Sequence, residues 1–348
     1  MNPYVLTMLL LSLGLGTTLT FASSHWLLAW MGLEINTLAI IPLMAQHHHP
    51  RAVEATTKYF LIQATAAAMI LFASTTNAWL TGEWGILYLS HPIAANLALM
   101  ALALKVGLAP LHLWLPEVLQ GLDLNTGLIL STWQKLAPFA LLIQISHLLE
   151  PTLLMLLGVL STMVGGWGGM NQTQLRKILA YSSIAHLGWM IIILQYSPQL
   201  TTLTLAMYII MTSTAFMTFK LAMTTKINSL ALAWSKNPII ATTSALVLLS
   251  LGGLPPLTGF MPKWLILHEL TKQGLPITAT IMALSALLSL YFYLRLCYSM
   301  ALTISPNTTS STTPWRLKNT QMKMPLTIMT ALTIMLLPLT PTAIALMY

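Results

Sequence analysis

The sequence predicts an all-α, polytopic membrane protein with about eleven transmembrane helices, inverted-topology repeats and two broken helices, the fourth and the ninth. Of its 348 residues, 56% are hydrophobic and only 6% are charged, and the mean hydropathy is +0.77. Soluble domains carry about 25% charged residues, so this composition indicates a protein of the lipid bilayer. Segments of about ten residues with alternating hydrophobicity, typical of a membrane barrel, do not occur in the sequence, which favours helices.

Runs of roughly twenty apolar residues mark the individual helices, because a helix of that length spans the hydrocarbon core. The approximate bounds of the eleven runs are 3–20, 23–45, 57–80, 95–116, 125–147, 150–170, 174–195, 199–222, 238–270, 276–301 and 325–345. A stretch rich in serine, threonine and proline at 302–324 is predicted to be a polar surface loop ahead of the terminal helix. The whole chain, 1–348, is therefore predicted to form a single integral membrane domain.

An eleven-residue pattern occurs twice and interrupts two of these helices. Its copies, Gly107–Glu117 and Gly253–Lys263, share Gly, Leu, Pro, Leu and Pro at identical offsets. Proline and glycine there break a membrane helix, and this predicts broken fourth and ninth helices. The fourth and ninth spans cross the membrane in opposite directions. The chain is therefore predicted to contain inverted repeats at roughly 23–147 and 150–301, an architecture of many secondary transporters.

The basic residues indicate the orientation in the membrane. Fifteen Lys and Arg against seven Asp and Glu give a net charge of +8, which we interpret as topology charge rather than as a nucleic-acid surface. The predicted loops on the side of the N-terminus contain Arg51, Arg176, Lys177, Lys226, Lys236, Arg316, Lys318 and Lys323. The loops of the other side contain only Lys272, so the N-terminus is predicted to face a cytoplasm or a mitochondrial matrix. The start of the chain lacks a basic n-region, and its first helix is expected to remain in the mature protein.

Four ionisable residues are predicted to lie well inside spans: Glu34, Lys105, Lys135 and Lys263. Each costs at least about 2.5 kcal/mol at mid-membrane and needs an explanation. We interpret them as a proton relay, because burial lowers the pKa of a lysine amine toward neutrality whereas arginine stays charged. The alternative is a static buried pair of Glu34 with a lysine that fixes helix packing. Three lysines against one glutamate leave an excess positive charge that static packing explains poorly.

Two histidines are further candidates for the relay. His112 follows the first lysine of the set closely and lies just past the break, and His186 lies in mid-span among hydroxyls. Imidazole titrates near neutral pH, so both could pass protons; a hydrogen-bonded structural role is equally open for each. No metal site is predicted, because the consecutive His47–His49 do not share a helix face. No nucleotide or redox motif occurs, and the single Cys297 excludes a thiolate cluster, so no cofactor is expected on this chain.

Several segments around these residues resemble the NADH–ubiquinone oxidoreductase chain 2 family. They are Gly32–Asn36, Ala103–Glu117, Gln134–Pro138, Arg176–Trp189 and Gly252–Trp264. The resemblance runs essentially from end to end of the chain. The stretch from Lys177 to Ile184 is typical of the wider antiporter-like superfamily, whereas the length and the context of Glu34 are typical of the chain 2 family.

This resemblance implies a proton-pumping, non-redox membrane subunit of respiratory complex I in the mitochondrial inner membrane. It places the N-terminus on the matrix side and the C-terminus on the intermembrane-space side. It implies that Glu34 gates Lys105, which takes up a proton. It further implies that Lys135 passes the proton along a central polar axis and that Lys263 releases it toward the opposite side. His112 and His186 would then relay protons or order water.

The resemblance also implies partners that supply the energy. NADH, FMN, iron–sulfur clusters and ubiquinone are expected on partner subunits, and the neighbours are expected to be other membrane-arm subunits, including antiporter-like ones, and membrane lipids. One alternative is a stand-alone monovalent cation/proton antiporter, which is less favoured because Glu34 is the only central carboxylate available to a cation. The other is a structural scaffold, which leaves the three central lysines unexplained.

Overall fold

The computed structural model describes residues 2–46, 48–236, 238–301 and 324–347. In this part of the chain the regular elements are all helices. Seven of them are long and apolar enough to cross a membrane, and three further apolar helices are shorter. The prediction of an all-α polytopic membrane protein is therefore confirmed, while the total of eleven spans stays a prediction. By its internal contacts the chain divides into two compact units.

The first unit comprises residues 1–161. Its helices are α1 (Pro3–Ala22), α2 (Trp26–Met44), α3 (Pro50–Thr81), α4 (Pro92–Val106), α5 (Trp114–Gly121), α6 (Leu124–Ile145) and the beginning of α7 (Pro151–Gly169). Several of them begin at a proline, which suits the first turn because its fixed φ is helical and its missing N–H is not needed there. The chain thus starts its membrane helices at positions that proline marks in the sequence.

The third helix begins at residue 50 rather than near residue 57 as predicted. Nδ1 of His49 accepts the N–H of Arg51 at 3.2 Å and caps the helix. The first two turns carry Arg51, Glu54 and Lys58, with Nζ of Lys58 2.8 Å from Oε1 of Glu54. A prediction from hydropathy leaves out such polar turns although the helix runs through them. This explains why the predicted helix starts later than the observed one.

Four helices of the first unit close a ring. α2 contacts α3, α3 contacts α4, α4 contacts α6, and α6 contacts α2. α1 packs on α2 and α6, and α5 packs on α3. The residues that face the inside of this ring are consequently shielded from lipid.

Close packing of α1 on α2 depends on two glycines. A Cβ on Gly16 would lie 2.4 Å from Oδ1 of Asn36 and 2.8 Å from the carbonyl oxygen of Gly32. A Cβ on Gly32 would lie 2.7 Å from Cγ2 of Thr20. Small residues at a helix interface let two membrane helices approach at this distance, so neither position has room for a methyl group.

We expect Gly16→Ala to destabilise the protein by about 1–3 kcal/mol, the usual cost of overpacking. The measurement is the midpoint of thermal unfolding of the purified protein in detergent. Gly14→Ala is the matched control, because a Cβ on Gly14 meets nothing within 4 Å. Equal losses of stability in the two variants would contradict the packing argument.

The second unit comprises residues 162–348. After the end of α7 its described helices are α8 (Leu175–Ile193), α9 (Pro198–Leu221), α10 (Ile227–Ala231), α11 (Ala233–Lys236), α12 (Pro238–Gly252), α13 (Phe260–Lys272), α14 (Pro276–Ala301), α15 (Met324–Met335) and α16 (Thr340–Met347). α13 contacts α8, α9 and α14, and α9 also packs on α12 and α15. The helix α13 therefore packs against three helices of this unit, and its buried residues are Met261, Pro262, Ile266 and Leu270.

Three predictions for the second unit differ from the structure or lie outside it. The predicted loop at 222–237 contains two short helices, α10 and α11. The predicted terminal helix at 325–345 is interrupted between α15 and α16, where Pro338 offers no N–H to the helix. The predicted polar loop, with its basic residues Arg316, Lys318 and Lys323, lies outside the described residues apart from Met324.

Candidate functional site

The first copy of the repeated pattern coincides with the end of α4. Gly107 has a φ of +88° and its N–H bonds to the carbonyl of Ala103 at 2.9 Å, which ends the helix in the left-handed conformation that glycine favours. The indole N–H of Trp114 donates to the carbonyl of Leu104 at 3.1 Å. Side chains therefore satisfy carbonyls that the interrupted helix leaves free, and they fix the last turn of α4, which carries Lys105.

Lys105 is buried, with 6% of its surface exposed. Its Nζ has no hydrogen-bond partner among the described residues, and the same holds for Oε2 of Glu34. The two side chains nevertheless lie close enough to interact electrostatically. Because no hydrogen bond ties Lys105 to Glu34, the amine keeps its donors available for a further acceptor.

A cavity of about 20 Å³ lies inside the ring of the first unit. Lys105 and Lys135 both line it, and its other polar lining residues are Asn36, Thr37, Tyr59, Gln63 and Gln134. This volume admits about one water molecule, which needs two to four polar partners of the kind this lining supplies. The structure therefore brings the first two predicted lysines, Lys105 and Lys135, to one small polar space.

The position of Lys135 follows from α6. The residue is buried, with 3% of its surface exposed, in the middle of that helix. Pro138 lies inside the same helix and has no N–H to give to the carbonyl of Gln134. The carbonyl of Gln134 therefore lacks its helical donor. It belongs to the residue before Lys135, and both residues line the cavity.

The second copy of the pattern coincides with the end of α12. Gly253 follows the helix with a φ of +81°. Lys263 lies after the interruption, in the first turn of α13, but its Nζ reaches back and donates to the carbonyl of Gly252 at 2.7 Å. A cation at the C-terminal end of a helix is favoured by the helix dipole. In both units a lysine therefore lies at the end of the helix that precedes the interruption: Lys105 belongs to the last turn of α4, and the amine of Lys263 is bound to the end of α12.

We expect Gly253→Ala to displace this amine, because a Cβ there would lie 2.9 Å from Nζ and 3.0 Å from Cδ of Lys263. Gly274→Ala is the matched control: its φ is +71°, so it carries a similar backbone strain, but its Cβ meets nothing within 4 Å. Both variants should lose about 1–2 kcal/mol of stability from the left-handed conformation. Only Gly253→Ala should also change the chemical shift of the Lys263 amine in nitrogen NMR; identical spectra would contradict the contact.

A second cavity of about 20 Å³ lies in the second unit, and Lys263 and His186 both line it. The ring of His186 lies 5.8 Å from that of Tyr208, centroid to centroid, at 52°. Thr204 adds a hydroxyl to the lining. The structure thus brings a lysine and a histidine of α13 and α8 to one space, again with room for about one water.

His112 is placed differently from the other candidates. It is buried in the turn between α4 and α5 and interacts with the backbone of Pro110, but it does not line the cavity of the first unit. In the described part of the chain, His, Cys, Asp and Glu side chains form no group of three placed to hold a metal ion. His47, one of the three consecutive histidines, lies outside that part.

Sequence reasoning missed several lining residues. Tyr59 and Gln63 of α3 line the first cavity, and Nε2 of Gln63 donates to the carbonyl of Lys105 at 3.4 Å. Tyr208 lines the second cavity. A spacing of four residues puts Tyr59 and Gln63 on one helix face, so two polar groups on one stripe of an apolar span were the available signal.

Comparison with known proteins agrees with this architecture. The family model described as NADH:quinone oxidoreductase/Mrp antiporter, TM, matches residues 23–289. The model described as NADH dehydrogenase subunit 2 C-terminus matches residues 290–344. NADH-ubiquinone oxidoreductase chain 2 of Carassius auratus is 76% identical over 346 residues, which cover 99% of each chain.

Two solved structures have the same fold. A chain of respiratory complex I from Thermus thermophilus with bound aureothin superposes with a TM-score of 0.81 at 28% identity, over 97% of this chain and 80% of that one. A chain of the Mrp complex from Dietzia sp. DQ12-45-1b superposes with a TM-score of 0.79 over 96% of this chain and 75% of that one. At 15% identity the second likeness shows the fold alone. The matches in sequence and in fold agree, and the chain belongs to the NADH-ubiquinone oxidoreductase chain 2 family.

Proposed function

We propose that the chain is a proton-translocating, antiporter-like membrane subunit of respiratory NADH:ubiquinone oxidoreductase, complex I. The observation that carries this proposal is the cavity of the first unit, where Lys105 and Lys135 share one buried polar space. Two amines that can each hold one proton, with room for a water between groups, are the components that a proton transfer needs. The family membership supplies the assembly in which such a transfer is coupled to quinone reduction.

The relay in the first unit begins with Glu34. When its carboxylate is charged it stabilises the protonated amine of Lys105, with which it interacts electrostatically. When that negative charge is neutralised or moves away, the amine gives its proton to the water or side chains of the cavity, and Lys135 takes it up. Lysine serves in both places because it can exist in either protonation state in a buried site.

Lys263 is the release group of the second unit. Its amine is held by the carbonyl of Gly252 and lines a cavity together with His186, which can accept or return a proton. His112, buried at the first interruption, orders the turn between α4 and α5 and is a weaker candidate for transfer.

The membrane topology follows the same proposal. α4 with α5 and α12 with α13 each form one broken span, which makes eleven spans with inverted repeats at roughly 23–147 and 150–301. The repeated pattern supports this arrangement, because its glycines Gly107 and Gly253 both end a helix in the left-handed conformation. The chain lies in the mitochondrial inner membrane with the N-terminus in the matrix and the C-terminus in the intermembrane space, as the basic loops indicate.

Proton pumping needs an outside source of energy, since one charge crossing 100 mV costs about 2.3 kcal/mol. We infer that this chain acts as a non-redox subunit and that NADH, FMN, iron–sulfur clusters and ubiquinone bind to partner subunits. Its neighbours are other membrane-arm subunits, including antiporter-like ones, and membrane lipids; we assign it no nucleic-acid partner.

The test is a transport assay in sealed vesicles. The assembled complex should acidify the vesicle lumen when NADH is oxidised by quinone, with equal proton yield in sodium-free medium. The chain reconstituted alone should move no protons when a sodium or potassium gradient is imposed. Gradient-driven proton movement by the isolated chain would favour the stand-alone antiporter instead.

A further inference from the structure

Each unit holds a buried tyrosine at its cavity. Neither tyrosine belongs to the proposed relay of glutamate, lysines and histidines. Tyr59 on α3 and Tyr208 on α9 are each 1% exposed. Tyr59 lines the cavity of the first unit, and Tyr208 lines that of the second. A tyrosine buried among apolar helices usually finds a hydrogen-bond partner for its hydroxyl, so a buried tyrosine at a polar cavity is a candidate for a role there.

Tyr59 connects Glu34 with the cavity of the first unit. Glu34 interacts electrostatically with Tyr59 as well as with Lys105, yet Glu34 itself does not line the cavity. The ring of Tyr59 packs against Trp114 with centroids 5.8 Å apart and planes at 59°. Since the indole N–H of Trp114 is bonded in turn to the carbonyl of Leu104, the ring of Tyr59 packs on a side chain that is itself held in place, at the cavity that both lysines line.

Tyr208 has the corresponding neighbours in the second unit. Its ring contacts that of His186, and its hydroxyl hydrogen-bonds with the side chain of Ser183. The Ser183 hydroxyl also donates to the carbonyl of Ala180 at 2.7 Å, and the Thr212 side chain is a second hydrogen-bond partner of the phenol. Lys263 lines the same cavity. The phenol is thus hydrogen-bonded to two hydroxyl side chains, and its residue lines the cavity.

The two units repeat one order of groups along the chain. In the first, a titratable residue on α2 is followed by a tyrosine on α3 and a lysine on α4; in the second, the same order runs through α8, α9 and α13. The triplets are Glu34, Tyr59, Lys105 and His186, Tyr208, Lys263. Because a tyrosine occupies the same place in both triplets, we infer that the tyrosines serve the cavities and not helix packing alone.

A phenol suits a transfer between an amine and a carboxylate or imidazole. A protonated lysine amine only donates and a carboxylate only accepts, whereas a hydroxyl does both. The phenolic oxygen can bond an incoming proton while its own O–H proton passes to the acceptor, so the tyrosine is unchanged after the step and carries no net charge before or after it.

We propose that Tyr59 and Tyr208 are relay residues whose hydroxyls carry protons between the titratable side chain and the lysine of their own unit. This rests on the proposed proton translocation and adds two members to its site.

The test compares Tyr→Phe variants in the assembled complex in sealed vesicles. Phenylalanine keeps the ring contacts and removes only the hydroxyl. We expect Tyr59→Phe and Tyr208→Phe each to slow NADH-driven acidification of the lumen by about 100-fold, within the range for loss of a positioned proton-transfer group. The amount of assembled complex should not change.

Tyr293→Phe is the matched control. Tyr293 is also 1% exposed and is an electrostatic neighbour of Tyr208, but it does not line the cavity of Lys263, so the two variants differ in the position of the lost hydroxyl. Normal acidification in this variant, with slow acidification in Tyr208→Phe, supports the proposal. An equal loss in both would mean that the hydroxyl serves packing, and the proposal would be overturned.

Two further outcomes separate this inference from the function on which it rests. If Tyr59→Phe and Tyr208→Phe pump normally while Lys135→Met does not, the tyrosines are not relay residues and the lysine relay stands. If Lys135→Met also pumps normally, the proposed function itself fails. Should Tyr208→Phe not assemble, the combined Ser183→Ala and Thr212→Val variant removes both side-chain partners that orient the phenol and keeps the phenol itself. Normal acidification in that variant would overturn the role of Tyr208.

Discussion

Lys135→Met should abolish proton translocation through this subunit while the complex still assembles. Methionine has a flexible, unbranched side chain of similar reach, so it can fill the space of the lysine stem in α6. A buried amine is costly to desolvate, so replacing it by an apolar side chain of similar volume should leave the fold intact. The loss is chemical: the cavity keeps Lys105 but has no second amine to receive the proton. We expect the rate to fall by about 100-fold or more.

The measurement is the number of protons released per NADH oxidised in sealed vesicles, together with the yield of assembled complex. Lys58→Met is the matched control, because it also removes a lysine from the first unit. Lys58 is partly exposed and paired with Glu54 and Glu117, and such surface pairs contribute little to stability. A normal proton yield in Lys135→Met would count against a central role for this amine.

Glu34→Gln should lower proton translocation about tenfold and change how the rate depends on pH. Glutamine keeps the size and the hydrogen-bonding ability of the side chain but removes the negative charge with which Lys105 and Tyr59 interact. A single nearby opposite charge changes the protonation equilibrium of a neighbouring group by roughly tenfold or more. The side chain at position 34 would then always be neutral, and it would no longer stabilise the protonated amine of Lys105.

The dependence of the NADH oxidation rate on pH distinguishes two roles of Glu34. It either controls the protonation of Lys105 or forms a static pair that fixes helix packing. Glu54→Gln is the matched control, since it removes an exposed carboxylate from the start of α3 and should leave the profile unchanged. If Glu34→Gln has the same profile as the unmodified complex, the glutamate serves only to fix helix packing. The relay would then have to begin at Lys105.

Much of the fold was readable from the sequence because a bilayer imposes strong and simple requirements. Apolar length predicted the long helices, and the prolines and glycines predicted where α4 and α12 end. The errors occur where apolar length stops being informative: α3 starts in two polar turns around Glu54 and Lys58, and the terminal segment is interrupted near Pro338. Local capping and proline geometry decided these bounds, and a hydropathy window does not register either.

The candidate site was readable only in part. Charges inside apolar spans pointed to Lys105, Lys135 and Lys263, because such charges are costly without a purpose. Which of them share a space depends on contacts between distant helices, which one sequence does not reveal. The tyrosines were missed for a related reason: a tyrosine is ordinary in a membrane protein until it is seen to line the same cavity as a lysine.

The small size of the two cavities has a consequence for electrical insulation. Each has a volume of about 20 Å³, so each admits about one water, and neither can contain an unbroken file of solvent. A proton that passes through these two cavities is therefore expected to move between side chains that rearrange between steps. A subunit built in this way does not short-circuit the membrane when its driving reaction stops, because conduction ends with the movement of those side chains.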